Sequence, residues 1–292
     1  MRLDELPTSN RIEDRRGLTT SRAGGIGVGT IVVLGLIGWA LGIDPRLLIG
    51  GAEMMSRSDQ TQQQTQVDTG TPLDETGRFV SAILGSTEAE WKEVFDQAGK
   101  SYQPPTLVMF SGATQSGCGF ARSAMGPFYC PVDQKVYLDT SFFQDLERRF
   151  RGCDVGSKTC QFSQAYVIAH EIGHHVQNLL GILPKVQQAK EGVEQADANA
   201  LQVRVELQAD CLAGVWANRA QAKWQFIEPG DVEAAPQTAS AIGDDRLQRQ
   251  SQGYVVPDAF THGTSAQRAR WFTTGLKSGQ LASCDTFRAE QL

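Results

Sequence analysis

The sequence predicts an α+β fold, mainly helical with a small sheet, preceded by one transmembrane helix. Three observations lead to this prediction. A strongly helical segment carries the motif His170-Glu-Ile-Gly-His174, short β-rich runs lie at 106–110 and 135–138, and 23–43 is a run of 21 residues without a charge. The remaining chain, out of 292 residues, is long enough to form one sizeable core.

The uncharged run 23–43 is long enough to span a bilayer. Five arginines precede it, whereas only Arg46 and Arg57 follow closely, so the positive-inside rule places the N-terminus in the cytoplasm. A cleaved signal peptide is the alternative, but the leading segment is long and no Ala-x-Ala site follows Trp39. We expect a single-pass protein of the cytoplasmic membrane whose main domain is extracytoplasmic.

This topology predicts four regions. Residues 1–22 form a cytoplasmic segment, 23–43 the transmembrane helix, 44–71 a flexible linker rich in Ser, Gln, Thr and Gly, and 72–292 the main domain. The net charge of −6, with both signs scattered along the chain, argues against a nucleic-acid partner, which would favour a basic stripe. The oligomeric state is not specified by the sequence.

The hydrophobic pattern predicts the elements of the main domain in order. Ser86 is expected to open the second of two early helices, with Glu90 as its capping partner. The run 128–130 is expected to pair with the strand at 135–138. Gly181 is expected to end the motif helix, and Pro184 to prevent it from resuming. The predicted helices are 75–84, 87–98, 141–150, 161–180, 201–217, 231–250 and 264–278.

The motif at 170–174 is typical of zinc peptidases. Residues four apart lie on one helix face, so His170 and His174 can direct ring nitrogens at one ion while Glu171 faces its open side. The neighbouring residues are mostly apolar, which predicts a buried helix. Two imidazoles and a carboxylate buried there would be costly without a partner, and a dication supplies one.

Hydrolytic zinc takes three protein ligands, so one more must come from elsewhere. The metzincin pattern is excluded because Gln177 and Leu180 occupy its further positions. On the helix at 201–217, Glu206 and Asp210 share a face with small residues that allow close helix packing. We predict Glu206 as the ligand and Asp210 as the acceptor that orients a ligand histidine. The reverse assignment, with Asp210 on zinc, remains open.

Several further segments form a pattern together with the motif. They are QAYVIAHEIGHHVQNLLGI at 164–182, ELQADCLAGVW at 206–216, GPFYCP at 126–131, VYLD at 136–139 with SFF at 141–143, and THGTSAQR at 261–268. These segments resemble the bacterial neutral zinc metallopeptidase family over almost the whole chain. The resemblance implies a zincin-like fold of the gluzincin type, in a protein anchored to the bacterial inner membrane. It also implies one zinc ion held by His170, His174 and Glu206, with Glu171 catalytic.

This ligand set predicts a membrane-anchored zinc metallopeptidase that acts on peptide or protein substrates. Glu171 would be the general base for water. His262, the only histidine outside the motif region, is the best candidate to stabilise the oxyanion, and a loop or capping role is its alternative. Tyr166 is a weaker oxyanion candidate that more readily fits the core. His175 faces away from His170 and His174, and we expect it either to contact a ligand residue or to lie on the surface.

Two other functions remain open at this stage. The same zinc site could hydrolyse a non-peptide or cell-wall amide. Alternatively, the protein could be a non-catalytic membrane scaffold with structural zinc, although an intact Glu171 argues against this.

The six cysteines are consistent with disulfide bonds in an oxidising compartment. Six cysteines allow fifteen pairings in principle. Spacing favours Cys118 with Cys130 and Cys153 with Cys160, which leaves Cys211 with Cys284 by elimination.

Overall fold

A computed structural model describes residues 1–17, 68–148 and 159–292. Residues Met1–Arg15 and Thr69–Leu292 form one compact unit, and Arg16–Asp68 form a second. The first unit has an α+β architecture and is mainly helical, as predicted. The predicted transmembrane helix and most of the predicted linker lie outside the described residues.

The main sheet has five strands among the described residues. They are β1 (Ile12–Asp14), β2 (Asp68–Thr69), β3 (Thr106–Phe110), β6 (Phe128–Cys130) and β7 (Lys135–Asp139), and a separate hairpin is formed by β4 (Ala113–Ser116) and β5 (Gly119–Arg122). The strand order of the main sheet is β2-β1-β3-β7-β6. Strand β3 pairs in parallel with both β1 and β7, and β6 pairs antiparallel with β7 at the end of the order.

Eight α-helices lie in the described part of the chain. They are α1 (Glu75–Gln97), α2 (Phe142–Arg148), α3 (Thr159–Leu179), α4 (Ile182–Lys190), α5 (Gln195–Trp224), α6 (Asp231–Ala241), α7 (Asp244–Gln252) and α8 (Ser265–Ser278). The motif helix is α3, and the helix that carries Glu206 and Asp210 is α5.

The predicted break at Ser86 is wrong, because α1 runs through it without interruption. The Ser86 hydroxyl donates to the Ile83 carbonyl within the helix and accepts a hydrogen bond from the indole of Trp216. Asp74 is the residue that caps α1, by accepting from the Gly77 N–H at 2.8 Å. The capping preference of serine is therefore outweighed by a tertiary partner on α5.

The helix boundaries before and after α5 also differ from those predicted. Gly181 adopts the left-handed conformation expected of a helix end, but α4 begins at the next residue. Pro184 lies in the first turn of α4, where its missing N–H would have had no helical acceptor. The predicted helix 231–250 is divided at Gly243, where a Cβ atom would lie 2.4 Å from the Ser265 backbone nitrogen.

Glycines allow α5 to approach both α3 and α8 at backbone distance. A Cβ atom on Gly173, inside the metal motif, would lie 3.0 Å from the Ala209 carbonyl oxygen. A Cβ atom on Gly275 of α8 would lie 1.9 Å from the carbonyl oxygen of Cys211. These contacts agree with the predicted close packing of the small-residue face of α5, and they bring three helices together around one buried region.

Two disulfide bonds reinforce this unit. Cys118–Cys130 ties the β4–β5 hairpin to β6, and Cys211–Cys284 ties α5 to the C-terminal segment. Both pairings were predicted. Cys153, the predicted partner of Cys160, lies outside the described residues.

The predicted localisation at the inner membrane requires correction. Strand β1 is hydrogen-bonded to β3 with Ile12 opposite Leu107, so the N-terminal segment and the rest of this compact unit must lie on the same side of any membrane. The predicted topology placed them on opposite sides. In residues 1–17, 68–148 and 159–292 we find no helix that is both long and apolar enough for a membrane span, and 23–43 falls outside these ranges.

Candidate metal centre

Two histidines and a glutamate converge where α3 crosses α5. The Nε2 atoms of His170 and His174 lie 3.2 and 3.4 Å from Oε2 of Glu206. His170 and Glu206 are buried, and His174 is nearly so. Possible ligand atoms of the three residues all lie within 4.8 Å of one another. The one-turn spacing of the histidines and the close packing at Gly173 together produce this cluster.

The chemistry and spacing of this cluster fit one zinc ion. Zinc binds imidazole nitrogen and carboxylate oxygen at about 2.0–2.2 Å in tetrahedral geometry, which separates neighbouring ligand atoms by roughly 3.4 Å. The two nitrogen–oxygen distances of 3.2 and 3.4 Å agree with such an arrangement. The group could therefore hold a metal ion with three protein ligands.

The other polar atom of each candidate ligand is held by a neighbour. Nδ1 of His170 lies 2.8 Å from Oδ1 of Asp210, and Nδ1 of His174 lies 2.8 Å from Oε1 of Gln177. The amide of Gln202 donates to Oε1 of Glu206 at 2.7 Å. These contacts direct both Nε2 atoms and the remaining carboxylate oxygen towards one point.

Asp210 is the centre of a buried polar network. Arg268 of α8 donates to it through two nitrogens, each at 2.9 Å, and the Tyr166 hydroxyl donates at 2.5 Å. Burial alone would raise the pKa of Asp210, but the Arg268 and His170 charges lower it to about 2. Asp210 thus remains ionised, and its Oδ1 lies against Nδ1 of His170.

The carboxylates favour positive charge at the two histidines. Burial opposes protonation of His170, but Asp210 and Glu206 outweigh it and raise its pKa to about 10. The pKa of His174 is raised too, because Glu206 outweighs burial. Despite burial, both histidines hold the pKa of Glu206 well below its usual value. A dication would satisfy the same negative potential while displacing protons from the imidazoles.

The cluster opens into a cavity of about 860 Å³. Glu171, which is 8% exposed, lines this cavity together with the candidate ligands. The Glu171 carboxylate makes no hydrogen bond within the described residues. The apolar walls come from the segment around β6, from α2, α3 and α4, and from residues near the start of α7. They include Met125, Pro127, Phe128, Pro131, Val132, Phe142, Val167, Leu183, Val186, Ile242 and Leu247.

His262 also lines the cavity, with a side chain that is 51% exposed. Asp244 fixes its loop, because one carboxylate oxygen accepts from the backbone N–H groups of Thr261, His262 and Gly263. The pKa of the His262 ring is raised, since the Asp244 carboxylate outweighs partial burial. The capping residue of α8 is Thr264, so His262 does not have the alternative capping role.

The side chain of His175 is buried, and its ring is hydrogen-bonded to groups other than the candidate ligands. Its Nε2 lies 2.6 Å from the Gln103 carbonyl oxygen, which can only accept, so Nε2 carries the proton. Nδ1 then accepts from the Tyr129 hydroxyl at 3.0 Å. Asn178 in turn donates to that hydroxyl at 3.0 Å. His175 therefore links the motif helix to the sheet-edge strand β6.

Some partners in this site were not foreseen from the sequence. Gln177 contacts His174 and lies three residues after it. Gln202 contacts Glu206 and lies four residues before it. Helical spacing could therefore have identified both partners. Arg268 is separated from Asp210 by 58 residues, and no local pattern connects them. The buried acid implied a cationic partner without specifying which one.

Comparison with known proteins assigns the family. The family model described as "Putative neutral zinc metallopeptidase" matches residues 1–287, and the chain belongs to that family. The uncharacterized protein YpfJ of Escherichia coli strain K12 is 47% identical over 288 residues, which cover 96% of each chain. An uncharacterized protein of Mycobacterium tuberculosis strain H37Rv is 41% identical over 271 residues, 86% of this chain and 85% of the relative. No solved structure matches the chain.

The neutral His175 predicts a specific pH dependence of stability. Burial lowers its pKa from 6.5 to about 4, so below pH 6.5 the unfolded chain takes up a proton that the native state does not. Wild type should lose up to about 3 kcal/mol of unfolding free energy from this group as the pH falls from 6.5 to about 4. In a His175→Gln variant this loss is absent.

Urea unfolding of both proteins across this range measures the effect. The difference in unfolding free energy between wild type and variant should be largest at neutral pH and should shrink as the pH falls. Parallel curves would mean that His175 is not held neutral.

Proposed function

We propose that this protein is a zinc-dependent peptidase with one zinc ion held by His170, His174 and Glu206. The proposal rests chiefly on the convergence of these side chains in one cavity with Glu171 beside them. Structural zinc sites are closed by four protein ligands, whereas this group has three and opens to a cavity. The arrangement therefore favours hydrolysis over a non-catalytic scaffold.

Glu171 is the proposed proton carrier. A zinc ion bound here would polarise a peptide carbonyl and lower the pKa of water to about 7. The Glu171 carboxylate takes one proton from the attacking water and later delivers it to the leaving amine. Asp210 and Gln177 keep His170 and His174 in the tautomer that leaves each Nε2 free for the metal.

Strand β6 is proposed to align the substrate. It is an edge strand among the described residues, and Phe128 and Tyr129 line the cavity. An extended peptide could add to this edge through backbone hydrogen bonds, as in β-augmentation. The link from His175 through Tyr129 would keep the edge at a fixed distance from the motif helix. A sheet edge beside two crossed helices is consistent with a zincin-like domain of the gluzincin type.

His262 is proposed to stabilise the oxyanion. Its ring lines the cavity, and the Asp244 carboxylate lies 3.4 Å from Nδ1, so Asp244 favours a proton on the ring. The clamp on the backbone of residues 261–263 restricts the position from which the ring can donate. Tyr166 is a poorer donor for this purpose because its hydroxyl already donates to Asp210.

Substitutions at Glu171 and at the proposed ligands should have separable effects. Glu171→Gln should retain about one zinc per chain and lose several orders of magnitude in turnover, because the amide cannot accept the proton. Replacement of His170, His174 or Glu206 by Ala should remove the zinc itself. Asp210→Asn should weaken zinc binding by about 10–100-fold.

Zinc content, by inductively coupled plasma mass spectrometry, and cleavage of a denatured protein substrate should be measured on each preparation. Full activity in Glu171→Gln would refute the general-base role. If Asp210→Ala loses zinc while Glu206→Ala keeps it, the two acids have the reverse roles.

The His262 side chain should affect turnover but not metal binding or folding. The backbone clamp by Asp244 does not need the ring, so His262→Ala should fold and bind zinc normally. If the ring donates mainly in the transition state, kcat should fall by roughly 10²–10³ with little change in KM. Steady-state kinetics combined with thermal unfolding tests this. Unchanged kcat per zinc-loaded molecule would exclude His262 from catalysis.

A further inference from the structure

A lysine lies close to the candidate ligands without belonging to the metal cluster. Lys190 is the last residue of α4, is partly buried and lines the cavity. Its ammonium group donates to Oε1 of Gln202, and the amide nitrogen of Gln202 donates to Glu206 at 2.7 Å. The charge of Lys190 is thus two hydrogen bonds away from a proposed metal ligand.

Lys190 has no acidic partner among the described residues. The other permanent cation that lines the cavity, Arg268, is neutralised by its paired contacts with Asp210. Glu206, the acid nearest to Lys190 along this chain of contacts, directs its other oxygen at His170 and His174. Burial lowers the pKa of Lys190, although the charge of Glu206 acts to raise it. The lowered pKa indicates that the ammonium group has lost part of its hydration.

The surroundings of Lys190 differ from the rest of the cavity. Gln187, one turn earlier on α4, and Gln202 of α5 line the cavity with Lys190 and form a polar corner. Most of the remaining wall is apolar. A partly desolvated cation flanked by two amides can bind an anionic group, and the anion that every peptide substrate can supply is a carboxylate.

We propose that the polar corner of Gln187, Lys190 and Gln202 binds a carboxylate of the peptide substrate, an inference that rests on the proposed peptidase function. The carboxylate comes either from a free C-terminus or from an acidic side chain near the scissile bond. In both cases Lys190 supplies the charge, and the amides supply hydrogen bonds. The site thereby selects peptides by an anionic group close to the point of cleavage.

Binding can be tested without turnover in the full-length, zinc-loaded Glu171→Gln protein. Three dansylated peptides serve as probes in fluorescence anisotropy: Ala-Ala-Phe-Leu with a free C-terminus, the same peptide with a C-terminal amide, and amidated Ala-Ala-Phe-Asp. We expect at least one carboxylate peptide to bind roughly tenfold more tightly than the amidated, uncharged peptide. The preferred peptide identifies the source of the carboxylate.

The Lys190→Met change in the same background should abolish this preference, because the apolar side chain keeps the bulk but loses the charge. Lys190→Arg should restore most of it. Lys185→Met is the matched control, since Lys185 lies on the same helix, is exposed and does not line the cavity. It should leave the preference intact. High salt should reduce the preference of wild-type Lys190.

Equal affinity for all three peptides would overturn the carboxylate site and leave peptide binding intact. A preference that survives Lys190→Met would also overturn it, as would loss of zinc in that variant, which would assign Lys190 to metal support. If no peptide binds and the protein with native Glu171 cleaves none, the peptidase function itself fails, and the carboxylate site fails with it.

Discussion

The buried carboxylate of Asp210 is the interaction on which the centre of the molecule depends. It is fully enclosed and receives hydrogen bonds from His170 on α3 and Arg268 on α8. A buried charge is costly when unpaired, so the native arrangement requires all three helices to lie in register around it. The glycines at 173 and 275 permit the necessary backbone approach. The contacts of Asp210 therefore hold the core helices together and also orient His170, a candidate metal ligand.

The centre is asymmetric in a way that suits hydrolysis. On the protein side, every candidate ligand is held by a second polar contact, which fixes imidazole and carboxylate orientation before any ion binds. On the other side, the cluster faces a cavity whose walls are mostly apolar. Rigid support behind the ligands and open space in front of them are properties of a site that must admit a substrate. Structural support therefore comes from side chains of α3 and α5, and access comes from the cavity.

The sequence could predict the parts of this site that follow from local geometry. Helical spacing related His170 to His174 and Glu206 to Asp210, and apolar runs located β3 and β7. Strand β1 was not predicted because its parallel pairing with β3 joins residues that are far apart in the sequence. Arg268 was missed for the same reason, since its partner is 58 residues away.

Local signals also misled where tertiary contacts outweighed them. Ser86 is common at helix starts, but here a buried indole on α5 binds its hydroxyl inside a continuous helix. Pro184 indicated the end of helical structure, yet the first turn of a new helix accommodates it. The distribution of arginines around residues 23–43 predicted that the N-terminal segment and the main domain lie on opposite sides of a membrane. In the structure, strand β1 of that segment pairs with β3 of the domain. The errors at Ser86 and in the N-terminal segment each concern a partner that is distant in the sequence, whereas the error at Pro184 concerns its position within a helix.

The most direct test of the proposed zinc centre is X-ray absorption spectroscopy at the zinc edge of the purified full-length protein. We expect about one zinc per chain, with two imidazole ligands, the remaining ligands oxygen at about 2.0–2.2 Å, and no sulfur. The imidazole signal should be lost when His170 and His174 are replaced. Sulfur ligands at about 2.3 Å, or a metal signal that persists in the double variant, would contradict a centre built from His170, His174 and Glu206.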